Sequence, residues 1–478
     1  MSYVIGVDRD QVQLLPARVE EYVGADAPVR AIEAFVQGLD FGKLGLARVE
    51  AETGRPAYDP ADLLKLYLYG YLHRVRSSRR LEAETHRNLE VIWLLRGLRP
   101  DHWTIAAFRR EHRTRFKAVL REFNLICRKL ELFGAELVAI DGAKFKAVNS
   151  ARRHYTAGQL RELVAQIDAR IEDYLAQLDH ADTEQEGVPG RPAGAELADK
   201  LAQLLDRSAR TEQVQEVLAA TGESELSLTD PDSRGQRKVG VGYNVQVAVD
   251  ARHHLIAVAE VVQDQNDLAQ LHPMAAAAQT ALAAKQLQAV ADAGYHEAGQ
   301  LEKCEQAKIE TYVPAPPGTA GRSADGANVY PKTYFTYQSE RDSYRCPAGQ
   351  ELPFTGEGED RGRTRRYYYR ADACAGCAFK AQCTRGAYRR LSRLPNEAVV
   401  ERQAARVAAR PEVTRQRKTI VEHVFGTLRL WGHDTFLCRG LARVQAEFNL
   451  SALAYNLRRV LNLTSVTALL EQLRPVGT

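Results

Sequence analysis

The sequence predicts an α/β protein in which a mixed sheet is flanked by helices. An all-α region precedes it, and a helical hairpin and a cysteine-rich, zinc-ribbon-like segment are inserted into it. Three observations predict this. Two short apolar runs, Leu137–Ile140 and Leu287–Ala291, each end in an aspartate and read as buried strands. Residues 239–263 alternate like a strand pair, with Tyr243, Val245, Val247 and Val249 on one face. Apolar residues at helical spacing fill residues 26–133 and return at 157–181.

Taken in order, residues 1–133 form a helical region in which Asp59-Pro60 starts a helix bearing Leu63, Leu64, Leu66, Tyr67 and Tyr71. The Gly97–Pro100 break and Thr104 separate further short helices rich in arginine, which suits a helix-turn-helix reader of DNA. Residues 134–156 hold the first strand, whose end presents Asp141. Residues 157–225 read as an acidic hairpin, with Leu160, Leu163, Val164, Ile167, Ile171, Leu175 and Leu178 in one stripe, a Gly187–Gly194 break, and Leu197, Leu201, Leu204 and Leu205 on the returning helix. Residues 226–313 carry the strand pair, a helix near Leu268–Lys285, the strand ending at Asp292 and another at Ile309–Val313. Residues 314–395 are basic and cysteine-bearing, and 396–478 are helical and include Glu422.

No run of apolar residues is long enough to span a bilayer; Leu63–Leu72 is short and contains Lys65. Asp8, Arg9 and Asp10 stand where a secretory leader needs an apolar stretch, so a cytoplasmic, nucleoid-associated protein is expected. The net charge is only +4, but it is unevenly spread. Residues 74–128 hold 14 Lys/Arg against 6 Asp/Glu, residues 361–418 hold 16 against 4, and residues 157–221 hold 6 against 13. Two basic blocks around an acidic one point to two surfaces that meet a polyanion.

Asp141, Asp292 and Glu422 are the candidate catalytic residues. Two strands that end in aspartate can lie side by side, and a helix across the sheet can add the glutamate. Three converging carboxylates repel one another unless cations stand between them. Mg²⁺, with Mn²⁺ as a substitute, prefers oxygen ligands, and two such ions suit phosphodiester chemistry. On the glutamate helix, at about 100° per residue, Arg415, Lys418, Glu422, Gly426 and Arg429 share an arc of about 80°. Ile420, Val421, Val424, Phe425 and Leu428 occupy the opposite side. Arg415, Lys418 and Arg429 are therefore candidate phosphate contacts, although a solvated amphipathic helix gives the same pattern. Asp230 and Asp232 are competing carboxylates in what also reads as a turn.

Of seven cysteines, Cys346, Cys374, Cys377 and Cys383 fall within 38 residues. Without an export signal such a cluster reads as a Zn²⁺ site before it reads as disulfides, and reduced, unliganded thiols are the alternative. Arg361, Arg363, Arg365, Arg366 and Tyr367–Tyr369 on the same segment could grip DNA. Cys127, Cys304 and Cys438 are expected to be inert.

At this point the sequence resembles the DDE transposases of bacterial insertion sequences, in particular the group numbered eleven eighty-two. The resemblance is carried by Val138–Gly142, Gly242–Asp250, Val290–Tyr295, Thr419–Leu428 and the run from Ala446 to Leu457, and so covers nearly the whole chain. It implies an RNase H-like core with Asp141, Asp292 and Glu422 as its metal-binding triad. It further implies cutting and joining of double-stranded DNA at terminal inverted repeats and insertion into target DNA, by a homodimer or larger assembly. Related enzymes often place a Tyr seven residues before the Glu, an Arg four before and a Lys seven after. Here those positions are Arg415, Lys418 and Arg429, so the Tyr has no counterpart. A DNA-binding regulator without catalysis and a structure-specific nuclease of the same fold are the alternatives. The first would have lost a triad carboxylate, and the second would not need the N-terminal reader.

Overall fold

A computed structural model of the 478-residue chain describes residues 18–46, 57–148, 154–184, 193–222, 225–237, 239–316, 329–360 and 362–473. The Met1–Pro16 segment, most of the Gly187–Gly194 break and Arg361 lie outside these residues, as do the side chains of Leu178, Leu197 and Arg363. The fold is α/β. Its strands are β1 (Leu137–Lys146), β2 (His154–Thr156), β3 (Glu225–Ser227), β4 (Arg234–Gln236), β5 (Gly240–Asp250), β6 (Ile256–Val262), β7 (Leu287–Val290), β8 (Ile309–Tyr312), β9 (Thr336–Gln338), β10 (Ser343–Arg345), β11 (Glu351–Asp360), β12 (Arg363–Tyr368) and β13 (Leu391–Arg393). The chain divides into two compact units, one of residues 1–134, 142–265 and 422–478, the other of 135–141 and 266–421.

In the first unit, capping fixes the N-terminal helices. The Asp59 side chain accepts from the Ala61 N–H with Pro60 at the first position of Pro60–Leu72, and Asp101 caps His102–Glu111 through the Thr104 N–H at 2.7 Å. Pro60–Leu72 is buried from Asp62 to Leu72. Its one lysine, Lys65, is neutralised by Glu33 at 2.9 Å and Asp62 at 3.3 Å, which is what lets the charge sit inside. Leu441–Leu463 packs on this helix, on Phe116–Lys129 and on β6. β5 lies between β4 and the later residues of β1, and β6 pairs antiparallel with its other stretch. β5 is buried on both faces from Val241 to Asp250, not on the Tyr243–Val249 face alone. Its other face is closed by polar groups, and the Gln246 amide donates to Asn244 at 2.9 Å.

Ala157–Glu184 and Ala193–Thr221 pack on one another as the acidic stretch predicts. Leu160, Leu163 and Ile167 of the expected stripe are buried, and Leu160 packs with Val214, Leu218 and Leu226. Leu175 and Leu205 are 46% and 51% exposed, because two helices without a third layer cannot cover a long stripe.

After the Pro411–Leu430 helix the chain turns through Gly432–Thr435. Arg76 donates to the carbonyls of Gly432 and Thr435 and to the fully buried Glu447 at 3.0 Å. Glu447 also accepts from the Leu437 and Cys438 N–H groups. His433, 1% exposed, stands beside the ring of Tyr71 at 5.6 Å, and neither ring nitrogen has a hydrogen-bond partner among the described residues.

In the second unit, the early residues of β1 pair in parallel with β7, and β7 with β8. Gln403 ties the Glu397–Ala409 helix to β8 by accepting from the Thr311 hydroxyl and donating to the Val313 carbonyl. A separate antiparallel sheet has the order β13-β12-β11-β10-β9. Its core is small, comprising Phe335, Tyr344, Leu352, Tyr368 and Leu391.

Candidate active site

β1 does not stop at Asp141, as an Asp-Gly pair suggests. It continues to Lys146, because Ala143 and Phe145 bury their side chains beyond it. Asp141 is therefore a mid-strand residue, held by pairing before it and extended chain after it.

The register of the parallel pair sets the geometry. Leu137 faces Gln288, Val138 faces Ala289 and Ala139 faces Val290. Continued two residues beyond the paired positions, that offset would bring Asp141 level with Asp292, at the end of strands that pair about 4.8 Å apart. Asp292 stands just past the end of β7 and caps the turn Ala293–Tyr295, its Oδ1 accepting from the Gly294 N–H at 2.7 Å. Gly294 is needed here: a Cβ on it would come within 2.9 Å of that oxygen. The same Cβ would stand 3.9 Å from Asp267 Oδ2, so a further carboxylate flanks the turn, one the sequence pattern did not single out.

On the Pro411–Leu430 helix the sequence-predicted faces hold. Ile420, Val421, Val424, Phe425 and Leu428 are buried, and Arg415, Lys418, Glu422, Gly426 and Arg429 are exposed. The residue that reading missed is Arg417. Its Nη1 donates to Asp141 Oδ2 at 2.8 Å, with the two side chains 15% and 18% exposed. A charge-assisted bond of this kind, largely out of water, gives that carboxylate a fixed partner. Arg417 lies at about 200° on the wheel, within the apolar arc; a cation placed there signals a buried carboxylate to meet it. Glu422 follows five residues later on the same helix.

Among the described residues no three His, Cys, Asp or Glu side chains stand together as a ligand set for a metal ion. That covers the three carboxylates and the four cysteines alike. The carboxylate oxygens are of the type Mg²⁺ prefers, and Asp292 uses only Oδ1 in its turn.

Asp230 and Asp232 have structural work instead. Both Asp230 oxygens accept from the Tyr243 hydroxyl at 2.9 Å, and Oδ1 also accepts from the Gly440 N–H, while Asp232 accepts from the Leu441 N–H at 2.8 Å. Together they cap Leu441–Leu463. Arg365 and Arg366, expected to grip DNA, are engaged within their own sheet. Arg365 pairs with Asp360 at 2.9 Å, and Arg366 pairs with Asp342 at 2.6 Å and lies over Phe354. Tyr368 is buried with its hydroxyl on Asp342, and Tyr367 lies under Arg390. Cys127 and Cys304 are buried and Cys438 is half-buried, and burial pushes each thiol up to about 12, which disfavours the reactive thiolate. Cys346, Cys374, Cys377 and Cys383 are free thiols that line one cavity with Phe335, Leu352 and Arg389.

Two family models match the chain. Residues 345–461 match the transposase DDE domain and residues 17–111 match a transposase domain of the DUF772 type. The first match takes in Glu422 and the four cysteines; Asp141 and Asp292 lie outside both. Together the matches support a DDE transposase. A comparison with curated protein sequences gives no match. Among solved structures, the cryo-EM structure of the piggyBac transposase synaptic complex with hairpin DNA is similar at 8% identity over 94% of this chain and 80% of that one. Its TM-score is 0.31, a level that carries no fold assignment. No helix among the described residues is long and apolar enough to cross a membrane.

Proposed function

We propose that the protein is a DDE transposase of the insertion-sequence group eleven eighty-two. In this reading it binds the terminal inverted repeats of a mobile element, cleaves there and joins the exposed 3′ ends to target DNA. The observation that supports the proposal is the parallel register of β1 and β7, whose offset, carried two residues beyond the paired positions, would bring Asp141 and Asp292 level. Glu422, on the helix whose Arg417 already reaches Asp141, is the third carboxylate of an RNase H-like core. These three would hold two Mg²⁺ or Mn²⁺ ions, which when bound activate the attacking oxygen and stabilise the leaving one.

The rest of the work falls to the chain itself. Arg417 holds the Asp141 carboxylate in place and offsets its charge. Arg415, Lys418 and Arg429, exposed on the same helix, bind phosphates of the DNA backbone and keep the scissile strand against the carboxylates. The N-terminal helices read the repeats. Two ends must be held together, so the active form is a homodimer or larger assembly on DNA, associated with the nucleoid.

The test is cleavage of DNA carrying the element's own ends, with Mg²⁺ against EDTA. Asp141→Ala, Asp292→Ala and Glu422→Ala should each abolish cleavage, a loss of at least about a thousandfold, while end binding is kept. Cleavage near that of the unaltered protein in any one of them removes that residue from the triad.

A further inference from the structure

We propose that Cys346, Cys374, Cys377 and Cys383 form one structural zinc site that staples the five-stranded sheet of the second unit to the helical turns following it. The four thiols come from separate places in the sheet and its flank, yet the fold brings them around a single cavity. None is joined in a disulfide.

Cys346 directly follows β10 and opens a tight turn. The Gly349 N–H donates to its carbonyl at 2.9 Å, and the Cys346 N–H donates to Gln350. Gly349 has φ +78°, a left-handed conformation that only glycine adopts without strain. Cys374 lies in the short helix Ala371–Ala375, and Cys377 begins a second turn in which its carbonyl accepts from the Lys380 N–H at 3.1 Å. Cys383 closes Lys380–Cys383. Two tight turns, each starting at a cysteine, and the residues after them line one cavity with four thiols, the number a tetrahedral ion takes.

The surroundings fix these turns. Arg389 donates to the Cys383 carbonyl at 3.1 Å and to the Tyr330 carbonyl at 3.0 Å, and the Tyr330 N–H donates to Gln382 at 2.8 Å. Cys346 and Cys383 pack against the core of Phe335, Tyr344, Leu352, Tyr368 and Leu391. Five buried side chains are a small core for so polar a segment, and small layers of this kind generally need a metal or disulfides. The four thiols line the cavity but are not gathered into a closed ligand set. A cysteine has one side-chain torsion with three accessible wells, so rotation about Cα–Cβ draws the thiolates in, releasing their protons to solvent as the metal binds.

The experiment uses the full-length protein purified without added metal. Metal is measured by mass spectrometry, and release is followed with a chromogenic chelator during titration with a mercurial. About one zinc per chain, released as about four thiols are consumed, is expected. Cys374→Ser should lose at least nine-tenths of the zinc, Cys377→His should keep it because imidazole is a competent ligand, and Cys304→Ser should be unchanged. Retention of zinc in Cys374→Ser overturns the proposal even if that variant is poorly folded. So do a metal-free protein with all thiols titratable, a thiol count lowered by disulfides, and bound iron in place of zinc. None of these readouts depends on DNA cleavage.

Discussion

His433 should make the protein acid-sensitive at a position its catalytic chemistry does not use. The imidazole is held at about 3, first by burial and then by the nearby charges of Arg76 and Arg74. The unfolded chain takes up a proton there near the ordinary value of about 6.5, while the folded chain does not. Stability is therefore fully present above about pH 6.5 and falls as the pH drops toward the folded value. At pH 5 the difference in proton binding costs about 2 kcal/mol, against less than about 0.1 kcal/mol at pH 7.5. His433→Phe removes the titration without removing a hydrogen bond, since the ring nitrogens have no partner among the described residues. Urea unfolding at both pH values measures the effect: the drop from pH 7.5 to pH 5 should be smaller in His433→Phe by about 2 kcal/mol. An equal drop in the two proteins refutes the reasoning. The same turn, Gly432–Thr435, follows the glutamate helix, so cleavage activity should also survive brief acid exposure better in the variant.

The Arg417–Asp141 pair should show a coupling of about 1.5–3 kcal/mol in a double-mutant cycle of Arg417→Gln and Asp141→Asn measured in EDTA, because each single change removes one charge from a charge-assisted hydrogen bond between half-buried side chains. Additive effects would mean that the contact is incidental. Glu447→Ala should cost about 3–5 kcal/mol by stranding Arg76 and two backbone N–H groups, whereas Glu447→Gln should cost less. Thermal unfolding distinguishes these, and equal losses would show that charge is not what the network needs.

What the sequence makes legible is local. The outward and inward faces of Pro411–Leu430 follow from spacing within a single helix, and both are found as read. Val138–Ile140 and Ala289–Val290 announce themselves as buried strands because a parallel sheet covered on both faces needs continuous apolar runs. The strand beyond Asp141 is hidden, since Asp-Gly is also a turn pair and only the distant partners of Ala143 and Phe145 decide the matter. Arg417 is hidden for the same reason, its carboxylate lying 276 residues away. Asp230 and Asp232 read as competitors for catalysis because the helix they cap begins about two hundred residues later. The ion pairs of Arg365 with Asp360 and of Arg366 with Asp342 are hidden as well, because only the pairing of the sheet brings those side chains together.

The placement of Asp141 within an unbroken strand also constrains how the gene can vary. Side chains along a strand alternate between faces, so one residue gained or lost between Leu137 and Asp141 would turn the carboxylate to the far side and undo its alignment with Asp292. Asp292 sits on a turn, where small adjustments need not disturb any ladder. Insertions and deletions among working copies should therefore gather in the loops and avoid the stretch leading to Asp141.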